Sequence, residues 1–384
     1  MATALLARLP IQRVHRIAVS SFFFLFGLCF ATWASRIPDI KLELQLSDGE
    51  LGGVLFALPV GLMTSLPISG WIVGKYGSRI ALTVGAVLYP ITLIFLGLAA
   101  TRWQLAAALF VFGLWGNMCN IAANTQAVGV EGMYGRSIMA SFHGVWSLAG
   151  FSGALIGSVI IAAHIIPPVH FAIITAVALS LNLLFFKQLL PADNRAASQP
   201  IFAKPDATLL KLGLIAFCSM VAEGTMFDWS GVYFQKVVAA PKELETLGYV
   251  AFMSTMATGR FVADWLTNKI GKKTTLQISG LLITTGLTIA IIFPFLIPAT
   301  IGFLLVGFGV SSIVPLIYGV AGKSKTMSAG VAIAAVSTIG FLGFLLGPPT
   351  IGFIAQVSSL KWSFTLIAAL AFCNIILAAK VEFE

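Results

Sequence analysis

Two carboxylates five residues apart in an apolar stretch, Glu223 and Asp228 of Ala222-Glu223-Gly224-Thr225-Met226-Phe227-Asp228-Trp229, are the groups best suited to proton chemistry. Acids inside segments of this apolarity are costly and therefore mark proton or substrate paths. On an ideal helix, positions five apart diverge by about 140°, so the two face one cavity only if the backbone breaks near Gly224. His143 stands inside another apolar run. Its imidazole titrates near neutrality and can shuttle protons, or it bonds a neighbouring helix. Proton coupling is expected first of Glu223, then of Asp228 and His143. For the carboxylates the competing reading is a permanent salt bridge or an outer-gate contact.

Asn117, Asn120 and Asn124 follow one another at helical spacing, i, i+3 and i+7. Amides both donate and accept, which suits a hydroxyl-rich solute; they also join helices within membranes. Trp146, Trp229 and Tyr318 offer flat faces on which sugars and cyclitols stack, although such rings equally form interfacial belts. No nucleophile, base and orienting group occur together, and no Gly-x-x-x-x-Gly-Lys phosphate loop is present. The four cysteines, Cys29, Cys119, Cys218 and Cys373, match neither a disulfide framework nor a metal site; they are expected to be small core residues. The sequence therefore points away from an enzyme and toward no cofactor and no metal.

The elements that must position these groups are membrane spans. Hydrophobic residues make up 58% of the 384 and charged residues 10%, with a mean hydropathy of +0.98, far from the composition of soluble domains. Runs of about 20 apolar residues suit helices crossing roughly 30 Å of hydrocarbon. Twelve are expected, near residues 17–35, 50–71, 80–100, 103–128, 137–161, 170–190, 211–234, 246–266, 274–293, 298–321, 327–354 and 362–380. The polar link 191–210 divides two six-helix halves, 1–190 and 211–384. The net charge of +9 is scattered through short loops and forms no basic face, which argues against nucleic acid. Placing both termini in the cytoplasm gathers most cations there, among them Arg8, Arg13, Arg16, Arg136, Arg195, Lys204 and Arg260. Arg36, Lys41, Arg102, Lys236, Lys242 and Lys361 remain outside.

The halves repeat. Gly70-Trp-Ile-Val-Gly74-Lys75-Tyr-Gly77-Ser-Arg79 is echoed by Asp264-Trp-Leu-Thr-Asn268-Lys269-Ile-Gly271-Lys272-Lys273. Leu51-Gly52 is echoed by Leu247-Gly248, and Trp33 by Trp229. The loop resembles the signature between the second and third helices of the major facilitator superfamily. Gly70, Lys75, Gly77 and Arg79 fit, as do Gly271 and Lys272 in the second copy, while Gly74 and Asn268 stand where the family usually carries an acid and Asp264 sits a turn before that position. Ser35-Arg36-Ile37-Pro38-Asp39-Ile40-Lys41, with Met139, Ser141, His143-Gly144, Trp146-Ser147 and Gly150, is similar to a bacterial branch that includes rhizopine (inosamine) permeases and lies near the fucose-type sugar symporters.

The resemblance implies an all-α integral membrane protein of twelve transmembrane helices in two pseudo-symmetric six-helix bundles, both termini cytoplasmic. It implies alternating access, with the repeated loop as a cytoplasmic gate that Gly74 loosens. The expected function is proton-coupled uptake of a sugar, polyol or cyclitol across a bacterial inner membrane by a multi-pass monomer, with small-molecule substrate, protons and the lipid bilayer as its partners. Two alternatives stay open: a proton antiporter exporting an amphipathic compound, against which counts the missing Gly-Pro in the fifth span, and a solute sensor that binds without transporting.

Overall fold

A computed structural model describes residues 9–134, 138–191, 206–326 and 329–381, without the side chains of Ala140, Asp264, Ala329, Gly330 and Ala334. Arg8, Arg136, Arg195 and Lys204, expected on the cytoplasmic side, and most of the 191–210 link lie outside the described residues. Every regular element among those residues is helical. The helices are α1 Ile11–Glu43, α2 Asp48–Leu55, α3 Ala57–Tyr76, α4 Ser78–Gly97, α5 Arg102–Gly132, α6 Met139–Ala162 and α7 Pro167–Phe185, then α8 Ala207–Lys236, α9 Leu247–Ile270, α10 Lys272–Ile292, α11 Leu296–Ala321, α12 Ala329–Val357 and α13 Leu360–Ala379. Among the described residues, eleven spans are long and apolar enough to cross a membrane, α2 and α3 counting as one. The twelfth, α9, is a 24-residue helix at its expected place. It falls short of that apolarity because it carries Arg260, Asp264 and Lys269.

The helix ends follow from local chemistry. Ser47 and Glu50 form a reciprocal capping box on α2. Thr101 accepts from the Gln104 amide at the start of α5, and Asp206 from the Leu209 amide at the start of α8. The second expected span is interrupted at Phe56. Pro59 has no N–H to return to the Leu55 carbonyl, so the ladder lapses between α2 and α3. The two repeated loops turn on glycines of matching conformation, Gly77 at φ 86 and ψ 153 and Gly271 at φ 85 and ψ 157. That region is essentially confined to glycine.

Contacts divide the chain into two compact units, 1–44 with 57–196 and 45–56 with 197–384. In the first, α1 packs on α6, α3 on α5 and α4 on α7. In the second, α8 packs on α12, α9 on α11 and α10 on α13. The repetition reaches single residues. Gly113 lies so close to the Leu58 carbonyl that no Cβ fits, and Gly307 stands the same way over the Phe252 carbonyl, both partners displaced by the same 194 positions. Small residues permit such crossings where helices must bind by close packing. The Gly153 and Gly157 track of α6 meets Ala31 and Ser35 of α1, as Gly340 and Gly343 of α12 meet Ala216 and Val221 of α8.

Residues 45–56 precede α3 in the first unit, yet group with the second. The Gly49 amide donates to Gln356 Oε1 at 3.2 Å, and Asp48 pairs with Lys236 at 2.8 Å. Gly52 lies on α12, where an added Cβ would stand 2.8 Å from the Pro348 carbonyl oxygen and 2.9 Å from Gly352 Cα.

One boundary needs correction. The first span was expected to end near residue 35, leaving Arg36 and Lys41 in an outer loop. Instead α1 continues to Glu43, and both cations are buried. Arg36 is satisfied within the fold: Nη1 pairs with Asp39, Nη2 donates to the Ile165 carbonyl at 2.6 Å, and Nε donates to His170 Nδ1 at 3.1 Å. Cys373 is likewise exposed and not a core residue, unlike Cys29, Cys119 and Cys218.

Candidate functional site

Helix α8 runs unbroken through Gly224, so the break needed to turn both carboxylates to one cavity is not there. Gly224 serves packing instead: a Cβ at this position would stand 2.9 Å from Phe344 Cδ1. Glu223 and Asp228 accordingly meet different neighbours. Glu223 is buried and its Oε1 accepts from Arg260 Nη2 of α9 at 3.3 Å. Tyr318 of α11 lies within electrostatic reach of Glu223, and its hydroxyl is hydrogen-bonded to Ser337 of α12. Four helices of the second unit therefore bring an acid, a guanidinium, a phenol and a hydroxyl together. Glu223 stands ~24 Å along α8 from Ala207.

Asp228, half-buried, lies within electrostatic reach of Tyr249 of α9. The Tyr249 hydroxyl is buried and has no hydrogen-bond partner among the described residues. Phe227 meets Tyr249 edge-on at 6.4 Å and stacks on Phe344 at 6.5 Å. Trp229 is fully buried, with its indole N–H unsatisfied, as are the hydroxyls of Ser219 and Ser230. Buried polar atoms usually find partners; α8 concentrates those that do not.

The other candidates belong to the first unit. Asn117 is buried, with its amide nitrogen unsatisfied. Asn124 Nδ2 donates to the Asn120 side chain and carbonyl, each at 2.8 Å, near an exposed Asn120. The expected stripe is thus one buried amide and one intrahelical pair. His143 is exposed, its ring edge-on to Phe23 at 5.4 Å. Trp146 is half-buried, 6.1 Å from the Phe30 ring.

In the repeated loops, Lys75 Nζ lies over the Trp71 ring at 4.8 Å and Lys269 Nζ over the Trp265 ring at 5.0 Å. Arg79 Nη2 donates to the Lys187 carbonyl at 3.3 Å. Gly70 is open to its surroundings, and Lys272 opens α10. The Asp264 side chain lies outside the described residues.

Three residues escaped the sequence reading. Arg260 counted as a cytoplasmic cation although it stands within an expected span. Gln126, near the end of the expected span 103–128, is buried and bonds Ser78 Oγ at 2.7 Å and the Leu190 amide at 2.8 Å. His170, at the start of the expected span 170–190, is buried against Arg36.

The sequence model of the Major Facilitator Superfamily matches residues 18–329. An uncharacterized MFS-type transporter of Yersinia pestis is 35% identical over 350 residues, covering 91% of each chain. Membrane protein MosC of Rhizobium meliloti is 30% identical over 375 residues, 98% of this chain and 91% of that one. The crystal structure of a bacterial homolog of the human lysosomal transporter Spinster, inward-facing and occupied, superposes with a TM-score of 0.76 at 15% identity, over 95% of this chain and 96% of that one.

Proposed function

The chain belongs to the major facilitator superfamily and is a multi-pass membrane transporter, and from that premise we propose that it takes up a small polar solute together with a proton. The observation that carries this reading is the part-buried contact of Glu223 with Arg260. A charge pair held among apolar helices is an unfavourable way to stabilise a fold, and its retention fits a step in which the pair opens. Glu223 is the coupling acid. Asp228 and His143 are further proton stations, and Asn117, Asn120, Asn124, Trp146, Trp229 and Tyr318 are candidate contacts to a sugar, polyol or cyclitol. The gate residues Gly70, Lys75, Gly77, Arg79, Asp264, Gly271 and Lys272 act at the cytoplasmic face, with both termini on that side of a bacterial inner membrane.

Proteoliposomes containing the full chain test the reading. Uptake of labelled solute should rise under an inwardly directed proton gradient and collapse to equilibration in Glu223→Gln. Unchanged accumulation in that variant would remove Glu223 from coupling, and accumulation driven only by an opposite gradient would establish export.

A further inference from the structure

On the premise that a small polar solute is taken up, we infer that Asp228 and Tyr249 form the subsite for one of its hydroxyls, which donates to the Asp228 carboxylate and accepts from the Tyr249 phenol. Of residues 218–234 of α8, every one is buried except Asp228. The single opening onto this stretch therefore falls on an acid. Acids within spans face the bundle interior or a water-filled cavity, not lipid.

Both groups lack what their counterparts have. Asp39 pairs with Arg36, Asp48 with Lys236, and Asp206 accepts from the Leu209 amide. Asp228 has no hydrogen bond and no ion pair among the described residues. The phenols differ in the same way. Tyr233, buried in the same unit, donates to the Ala290 carbonyl at 2.8 Å. Tyr249 is 1% exposed, and its hydroxyl has no partner among the described residues, although it lies within electrostatic reach of Asp228. Packing holds the ring in place, with Phe227 edge-on to it at 6.4 Å. A buried hydroxyl left without a partner costs stability, and this one lies next to the opening at Asp228.

The chemistry of the ligand follows from what each group requires. A carboxylate only accepts, so whatever meets Asp228 must donate. The phenol has one hydrogen to place, so whatever meets it must accept. An ammonium donates to both and leaves the phenol hydrogen without an acceptor. A carbonyl accepts from the phenol and leaves Asp228 without a donor, and an anion is repelled by Asp228. A hydroxyl donates and accepts through one oxygen and satisfies both. The second carboxylate oxygen then remains to accept from a neighbouring hydroxyl, so a vicinal diol is held better than an isolated alcohol.

The test is thermal unfolding of the detergent-purified full chain with myo-inositol, sorbitol or glucose, and with cyclohexylammonium and cyclohexanone as donor-only and acceptor-only probes. At least one of the three hydroxylated probes should raise Tm, and the other two compounds should not. Because the Tyr249 hydroxyl has no partner to lose, Tyr249→Phe should leave the solute-free Tm unchanged or higher while weakening the effective probe about tenfold. Asp228→Asn should weaken the same probe at least as much. Should Asp228→Asn not fold, Tyr249→Phe still decides. Binding undiminished in Tyr249→Phe overturns the inference, as does a lower solute-free Tm in that variant, the mark of a structural hydrogen bond. Stabilisation by cyclohexylammonium or cyclohexanone alone, or by no probe at all, overturns it too. The coupling role of Glu223 fails by a different measurement, undiminished gradient-driven accumulation in Glu223→Gln, so the two readings can fall separately.

Discussion

Removing Arg260 alone should be worse than removing it together with the charge of Glu223. Arg260→Met leaves a carboxylate without its cation, and breaking a buried pair from one side costs about 3–5 kcal/mol, less whatever a proton recovers. The double variant Glu223→Gln/Arg260→Met leaves no charge, so its unfolding midpoint in detergent should exceed that of Arg260→Met alone. A second residue-level expectation concerns Asp206, ahead of the span that begins at Ala207. The Leu209 amide and the Thr326 hydroxyl, the latter at 2.6 Å, hold its carboxyl below the ordinary value. Asp206→Ala should cost roughly 1 kcal/mol at neutral pH, as for a helix cap. Because the folded-state value is the lower one, this contribution is complete above the unfolded-state value and fades as pH falls through the folded one. Wild type and variant should converge in acid, and unfolding followed across that range checks it. Glu223 was legible in the sequence because an acid in an apolar run has few explanations. Arg260 was not, since a cation toward the end of a span, followed by Lys269, Lys272 and Lys273, reads equally well as a topology signal; its partner lies 37 positions away.

At the scale of elements, periodicity and composition gave the helices, but not what lets a charge stay inside one. The continuation of α1 past residue 35 depends on His170 and the Ile165 carbonyl, more than 120 positions downstream. No local rule anticipates that Arg36 is satisfied there. The interruption at Phe56 was available from Pro59, whereas α1 passes through Pro38 without stopping, so proline alone does not separate the two outcomes. The repeated loops are where sequence and backbone agree most closely, glycine for glycine. Gly77→Ala and Gly271→Ala should each cost about 1–3 kcal/mol, as expected for a side chain forced into that conformation. Gly74→Ala, at a site with open space and ordinary helical geometry, should be nearly neutral. Melting the three variants side by side separates conformational strain from general sensitivity of the loop.

At the scale of the whole molecule, the duplication was readable from an offset of about 194 positions, and the fold repeats it in the helix pairs and in the glycine contacts at Gly113 and Gly307. The expected halves 1–190 and 211–384 did not anticipate that residues 45–56 group with the later unit. That docking depends on Gly52, Pro348 and Gly352 meeting backbone to backbone, which hydropathy does not encode. Gly52→Leu should therefore destabilise by about 1–3 kcal/mol through overpacking. Gly53→Leu, beside open space, should be tolerated in the same unfolding assay.

The docking of residues 45–56 also sets a timetable. Gly49 and its acceptor Gln356 are 307 positions apart. A ribosome adding about 5–20 residues per second needs roughly 15–60 s to cover that distance. For that interval the nascent chain holds Leu51, Val54 and Leu55, all buried in the finished protein, without the helix that covers them. Lipid or the insertion machinery must shelter this segment during synthesis, and a ribosome stalled between the two positions would leave it as the first surface open to misassembly.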